Sequence, residues 1–464
     1  MTGQPTLVIA GTDHHRLKDH LLPGDGREAA AILLCARGRL EPLRLLVKHV
    51  YLVPHAECSR RDNQLVWPGQ CIEDCLTLAE DDDLSLMLVH SHPSGYDHFS
   101  SADDESDQEV MPSMFLARLS NASGPMFHGS AIMLPGGVMR ARVYDEQLRC
   151  QEAGLISVIG DDISFFWPHG PNAKRPLAFS SGMTNELRRL HAGIVGTSGT
   201  GSIVAEQALR LGFGEITVVD HDVMERRNLN RILNSTLDDA ILQQKKVSVF
   251  ERAARAVNPD VIVNTLDCRA GTRKAIEALS KADVLFCCVD TETGRDICDR
   301  LATAMLLPLF DVGVVIPVRR NMVGELVIQD VQGRIDYIQP GESSLLSRGV
   351  YTSAGVAAED LRERDPEAFE RQVGEGYMPG VMEEAPSVIT LNMRGASMTM
   401  QEFIARAYPY RLDGNAPYAQ TSFALAIEEQ DFYHETHFPR AGRHRFASGL
   451  RSPLLGIPAL EDAQ

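Results

Sequence analysis

His90, Ser91, His92 and Pro93, with Ser100 and Asp103 downstream, set two imidazoles, a hydroxyl and a carboxylate at spacings suited to one zinc ion. Side chains alternate along an extended strand, so His90 and His92 project from the same face and can converge on one metal. Asp103 is expected to come back from a loop. Two neutral imidazoles and a carboxylate leave the fourth tetrahedral position for water, as in catalytic rather than closed structural sites. Such a metal lowers the pKa of its water to about 7 and makes a nucleophile at neutral pH. The alternative is a His pair in a solvated acidic loop, since Asp97, Asp104, Glu105 and Asp107 crowd the same stretch. His98, between the matched positions, is expected to be solvated, and the pair His14 and His15 to lie on the surface.

A second constellation carries different chemistry. Residues 192–195 read as a short apolar strand running into Gly196, Gly199 and Gly201, and an amphipathic helix pattern follows through Leu211. Glycines there let the backbone turn sharply and bring N–H groups at a helix N-terminus against phosphate. A second strand, 216–219, ends in Asp220, and Asn228, Arg231 and Lys246 follow. A third apolar run, 284–289, leads to Asp290 and Arg295. An oxidoreductase of the Rossmann type would use Asp220 for a dinucleotide ribose. That reading leaves Asn228, Arg231, Lys246 and Asp290 without a joint role.

The first constellation resembles the JAB/JAMM metalloprotease family, whose signature is an upstream Glu, then HxHP, then Ser and Asp at this spacing. Glu28, just ahead of an apolar strand, matches the upstream acid. The resemblance implies that His90, His92 and Asp103 hold zinc, that Glu28 moves the proton from water to the leaving amine, and that Ser100 hydrogen-bonds the developing oxyanion.

The second resembles the ATP-binding core of the E1/ThiF/MoeB family, which adenylates the C-terminal glycine of ubiquitin-like proteins and sulfur carriers. It runs from about residue 185 to 315 and more faintly to 410. Gly196, Gly199 and Gly201 match the phosphate loop, with Ser198 in place of a usual glycine. Asp220 matches the acid on the ribose, Asn228 and Arg231 the pair on the phosphates, Lys246 the ATP lysine and Asp290 the magnesium ligand; Arg295 follows at the family's interval. Carboxylate attack on an α-phosphate needs positioning and cations rather than a side-chain nucleophile.

All nine cysteines lie at or before Cys298, so the region after the core lacks the thioester cysteine of ubiquitin-type E1 enzymes and a paired CxxC zinc site. Cys71 and Cys75 read as packed or surface thiols, and Cys268 as packed. The adenylate could then be handed directly to a partner's thiol, be attacked by a sulfide donor, or pass to a hydroxyl among Ser343, Ser344, Ser347, Tyr351, Thr352 and Ser353. Direct hand-over ranks first.

The net charge of −18 argues against nonspecific nucleic-acid or anionic-membrane binding. No apolar run approaches the roughly twenty residues that cross a bilayer, and an odd cysteine count without framework spacing suits a reducing, cytoplasmic setting. Residues 6–10 read as a first strand; 43–53, 86–90 and 131–134 as further strands; and 106–119 as a helix.

The expected fold class is α/β. A mixed α/β zinc domain spans residues 1–155, a connector 156–176, and a Rossmann-like, mostly parallel adenylation domain 177–464, with a crossover loop over about 341–386. The resemblances together imply a bifunctional enzyme of a bacterial ubiquitin-like modification system, using Zn²⁺, ATP and Mg²⁺. Its expected partners are a β-grasp protein and an E2-like protein, and it is expected to form a homodimer through the adenylation domain. Sulfur-carrier activation for thiocarboxylate formation, and a regulatory scaffold with one inactive domain, are the alternatives.

Overall fold

The computed structural model describes residues 3–61, 64–118, 124–168, 175–374, 387–442 and 445–461. The chain divides into two compact units, residues 1–175 with 304–306 and 444–464, and residues 176–303 with 307–443.

The first unit contains strands β1 (Thr6–Ala10), β2 (Ala30–Leu40), β3 (Leu43–Leu52), β4 (Ser59–Arg61), β5 (Gln64–Val66), β6 (Ser85–Ser91), β7 (Phe127–Met133), β8 (Met139–Asp145), β9 (Cys150–Glu152), β10 (Leu155–Ile159) and β11 (Ile163–Phe166). Its helices are α1 (Gly11–Leu21), α2 (Gln70–Glu80) and α3 (Ser101–Arg118). Nine strands form one sheet in the order β11-β10-β1-β3-β2-β6-β7-β8-β9, and β4 and β5 pair as a separate hairpin. Leu7, Ile9, Leu33, Val47, Met87 and Val89 build its core. Apolar runs such as Leu86–Met87–Leu88–Val89 are buried on both faces, which is why β6 reads as a continuous hydrophobic stretch until its polar end.

The strands at 6–10, 43–53, 86–90 and 131–134 stand close to where the sequence places them. Three expectations need correction. The segment 156–176 begins as strands β10 and β11, whose parallel and antiparallel pairings complete the sheet, rather than as a connector. The helix expected at 106–119 starts at Ser101, so Asp103 sits in its first turn and not in a loop. His14 is buried at 7% exposure on α1.

The second unit contains β12 (His191–Val195), β13 (Glu215–Val219), β14 (Ile262–Leu266), β15 (Val284–Cys287), β16 (Leu309–Val315), β17 (Val318–Arg320), β18 (Leu326–Ile328), β19 (Gln332–Ile338), β20 (Gln420–Ala424) and β21 (Glu429–Tyr433). The helices are α4 (Ser181–Leu187), α5 (Gly199–Leu211), α6 (Leu237–Ile241), α7 (Lys246–Val257), α8 (Arg273–Leu279), α9 (Glu292–Met305), α10 (Ser353–Arg364), α11 (Pro366–Gly374) and α12 (Ile389–Ala407). Its sheet runs β14-β13-β12-β15-β16-β19-β20-β21, parallel from β14 to β16 and antiparallel beyond. Strand order reverses beside β12, and in open α/β sheets the crevice outside the strand C-termini at such a point takes the ligand.

The crossover segment is more ordered than its composition suggests, because it carries α10 and α11; residues 375–386 of the expected loop lie outside the described residues. Several of its anchors reach α9. Leu345 and Leu346 N–H groups donate to Asp299, the Tyr351 hydroxyl lies 3.1 Å from both Asp296 and Asp299, and Thr352 N–H donates to Glu292. Glu359 in turn accepts from the Glu292 and Thr293 N–H groups that open α9.

Two candidate functional sites

The first site is built where β6 runs out of the sheet. Antiparallel pairing sets Ala30 opposite His90, and the Ala29 and Ser91 main chains continue the ladder through a 3.1 Å bond. Glu28 lies two residues before Ala30, close enough that its charge acts on His92. Arg60 from the β4–β5 hairpin fixes that end of β2, donating from Nε to the Glu28 carbonyl at 2.7 Å.

Asp103 arrives from the other side, on α3. Ser100 caps this helix: its Oγ accepts from Asp103 N–H at 3.2 Å, while Asp103 Oδ2 accepts from Ser100 N–H at 2.6 Å. This is a reciprocal capping box, and it leaves the Ser100 O–H free to donate.

His90 Nε2 lies 3.0 Å from Asp103 Oδ1, His92 Nε2 3.5 Å from Asp103 Oδ2, and the two Nε2 atoms 3.0 Å apart. His92 Nδ1 stands 2.9 Å from the Tyr96 carbonyl. A carbonyl can only accept, so Nδ1 carries the proton and Nε2 presents its lone pair inward. Burial opposes charge on both partners, yet imidazoles protonated toward Asp103 hold its carboxyl well below the usual carboxylate range and Asp103 raises His92; a cation bound among the three would take the place of those inward protons. Two ring nitrogens and a carboxylate converging this closely are a donor set for a cation, and the residues fit zinc in number and kind. His98 is 75% exposed and stands apart beside Asp97.

The second site lies at the C-terminal ends of β12, β13 and β15. Gly196 adopts φ +86°, and a side chain there would meet the Cys288 carbonyl oxygen at 2.9 Å. Gly201 is tighter, with the Gly196 carbonyl oxygen 1.8 Å from where its Cβ would be. Ser198 has a negative φ of −80°, so this position does not need the left-handed conformation that favours glycine.

Asp220 Oδ2 accepts from Thr197 N–H at 2.7 Å and from its hydroxyl at 3.1 Å, tying the glycine loop to the end of β13. Lys246 Nζ lies 2.7 Å from Asp222 Oδ2. Burial works against the Asp222 anion, but the Lys246 ammonium brings its pKa down. Arg231 flanks Gly199 and donates to the Arg227 carbonyl at 2.8 Å. Asn228 is buried, its Oδ1 accepting from Glu225 N–H at 2.9 Å. Asp290 is exposed just beyond β15. Arg295 is engaged elsewhere than at the loop: its guanidinium donates to the Val289 and Asp290 carbonyls at 2.9 and 3.4 Å and pairs with buried Asp311 at 3.3 Å. It holds the turn that presents Asp290.

Asn392, from α12, is a residue that sequence reasoning missed. It is 2% exposed and packs on the loop, its Oδ1 3.4 Å from the Thr200 hydroxyl. Lying 192 residues from that partner, it leaves no local signal.

Several of the hydroxyls weighed as acyl acceptors are engaged in bonds within the fold. Ser343 is buried with its Oγ accepting from Arg348, Ser344 and Ser347 bond each other, Tyr351 is enclosed between two aspartates, and Thr352 caps α10. Cys268 is half-buried, 3.3 Å from the Thr272 hydroxyl. Among the described residues no helix is long and apolar enough to cross a membrane.

Residues 13–140 match the prokaryotic homologs of the JAB domain, and residues 172–389 match the ThiF family. Ubiquitin-like modifier-activating enzyme 5 of Culex quinquefasciatus is 28% identical over 171 residues, 34% of this chain and 39% of that protein. Sulfur carrier protein ThiS adenylyltransferase of Bacillus subtilis is 27% identical over 143 residues, 31% of this chain and 40% of that protein. The chain thus spans about two fifths of the length of these curated relatives. Among solved structures, E. coli MccB with succinimide is 14% identical and covers 55% of this chain and 66% of its own, at a TM-score of 0.41. The two matched segments and the two sites fall in step, and the chain is a fusion of a JAB domain with a ThiF-family domain.

Proposed function

We propose that the two units act on one substrate, the C-terminus of a ubiquitin-like β-grasp protein: the JAB unit cleaves after its terminal glycine and the ThiF unit adenylates the exposed carboxylate with ATP. The observation that supports this reading most is a glycine loop flanked by Asp220 and Arg231, with Lys246 paired to Asp222 two residues beyond Asp220 and Asp290 exposed after β15, and, in the other unit, a separate His–His–Asp donor set.

In the ThiF unit, the loop N–H groups and the α5 N-terminus receive phosphate, Asp220 accepts from ribose hydroxyls, and Arg231 and Lys246 balance charge on the phosphoryl oxygens. Magnesium at Asp290 would neutralise the leaving pyrophosphate. In the JAB unit, zinc held by His90, His92 and Asp103 would polarise water and the scissile carbonyl. Glu28 accepts the proton of the attacking water and returns it to the leaving amine, and Ser100 donates its O–H to the carbonyl oxygen. With no cysteine after Cys298, the adenylate passes directly to the thiol of an E2-like partner. A second reading, activation of a sulfur carrier, is favoured by the similarity to the Bacillus subtilis adenylyltransferase.

The test uses the full chain and a β-grasp protein ending in glycine, with and without a C-terminal extension. Asp290→Ala should abolish exchange of pyrophosphate into ATP and keep cleavage. Asp103→Ala should lose zinc and cleavage together, and Glu28→Ala should keep zinc but lose cleavage by about a hundredfold, the scale of a general acid–base. Equal zinc loss in the last two would remove the role given to Glu28, and exchange that survives Asp290→Ala would remove that given to Asp290.

A further inference from the structure

His90 and His92 are carried by the sheet, but Asp103 is carried by a helix laid on it, so the donor set closes only if α3 is held at one position. Its C-terminal half is held by buried Met111, Met114 and Phe115 and by Arg118 on Asp83, and the contacts around its N-terminal turns converge on Arg142. This residue stands on β8 directly opposite Ser130 of β7, which is itself opposite Leu88 of β6. By alternation Leu88, His90 and His92 share a face, so Arg142 lies on the face that bears the metal donors.

Its guanidinium, with the side chain 11% exposed, reaches three points of the segment that delivers Asp103. Nη1 bonds Asp104 Oδ1 at 2.5 Å, and Nε and Nη2 both lie 2.8 Å from Asp107 Oδ2. The guanidinium carbon sits 4.0 Å above the ring of Phe99, the residue before the α3 cap. Asp107 is buried and also receives the Ser130 and Tyr144 hydroxyls, so it is a fixed anchor rather than a solvated surface charge. Phe99 packs against Ile132, Leu134 and Val138. The grip therefore brackets Asp103 on both sides, at 99 before it and at 104 and 107 after it.

We propose that Arg142 is a positioning residue for the metal site, setting the Asp103 carboxylate against the two histidine Nε2 atoms. The inference rests on the reading of His90, His92 and Asp103 as metal ligands. A planar fork can bridge two carboxylates while stacking on a ring; a lysine ammonium cannot. Arg142→Lys thus keeps the charge and removes the geometry.

The experiment titrates the full chain with cobalt(II) alone and follows its visible ligand-field bands, with zinc affinity read by competition against a chromophoric chelator. The parent should bind cobalt with the intense bands of a four-coordinate site. Arg142→Lys should weaken both metals by about 10- to 100-fold, the usual scale for changing an outer-shell partner, and should alter the band positions or intensity. An Arg142 that only stabilises the fold would lower the melting temperature of the metal-free protein and leave cobalt affinity and spectrum unchanged; that result overturns the proposal. Should Arg142→Lys fail to fold, Asp104→Asn, which leaves the Asp107 anchor intact, is read in its place with the same expected direction, and an unchanged spectrum and affinity again overturns it. A parent protein that binds no cobalt would instead defeat the metal-site reading itself.

Discussion

Alanine in place of Gly201 puts the geometry of the phosphate loop to a quantitative test. The added methyl would lie 1.8 Å from the Gly196 carbonyl oxygen and 2.8 Å from its carbon, where ordinary contact begins at 3.4 Å. Both are main-chain atoms and cannot swing aside, so the turn must open. Overpacking of this kind costs about 1–3 kcal/mol, and set against the bound geometry that weakens nucleotide by about 5- to 150-fold. Gly199→Ala meets a different obstacle, the Asn392 Nδ2 at 2.2 Å and the Arg231 Cδ at 3.1 Å, both on side chains. Its defect should largely disappear when Asn392→Ala is added, whereas Gly201→Ala should stay weak with the same second change. Binding of a fluorescent ATP analogue with magnesium, measured on the full chain with circular dichroism as the fold control, reads all four proteins. A folded Gly201→Ala with parental affinity would refute the claim that main chain must approach main chain here for nucleotide to bind.

Burial pulls the His14 pKa from 6.5 to about 4, and its Nε2–H donates to the Gly137 carbonyl at 2.7 Å. The unfolded chain takes a proton near pH 6.5 and the folded one does not, so this stability is full above pH 6.5 and declines toward pH 4 by up to about 3 kcal/mol; His14→Gln should flatten that acid slope in urea titrations, and an unchanged slope would exclude His14 as its source. The Arg348 side chain is fully buried and pairs with Asp336 at 3.0 Å and Glu435 at 2.8 Å. Arg348→Met should therefore destabilise the second unit by about 3–5 kcal/mol, because Asp336 is left with Arg334 and Gln420 and Glu435, among the described residues, with only the Ser343 N–H, and a loss below about 1 kcal/mol in denaturant melts would mean that these remaining partners or water suffice. Intact mass spectrometry after incubation with ATP, magnesium and the β-grasp protein should show an unmodified chain; a thiol-sensitive adduct would point to Cys268 or another upstream cysteine, and a base-labile one to the 343–353 hydroxyls.

What the sequence reveals about this protein is the chemistry carried by neighbours. HxHP needs only strand alternation to aim two imidazoles, and the glycine loop needs only a strand before and a helix after it, so both sites are legible from short spacings. Asp103 is legible as a partner of His90 and His92 but not as a helical residue, because its capping box with Ser100 reads as polar loop composition. The crossover helices escape a search for apolar periodicity because α10 and α11 bury few side chains, Ala358 and Phe369 among them. They rest instead on Thr352 as a cap and on Glu359 bonded to α9, interactions that spacing alone does not disclose. Asn392 and Arg142 act across the fold, and a single sequence carries no mark of such distances.

The attachment of residues 345–359 to α9 has a thermodynamic side. Helix α9 opens two residues after Asp290, and its first-turn amides are satisfied by Glu359 while its buried aspartates hold Leu345, Leu346 and Tyr351. The turn bearing Asp290 and the crossover segment are thus joined through one helix. Linkage makes any coupling between those two ends reciprocal: a factor by which an occupant of the Asp290 end changes affinity at the crossover segment is the factor returned. The order in which two ligands arrive then leaves the total free energy unchanged and sets only which of them meets a helix already in place.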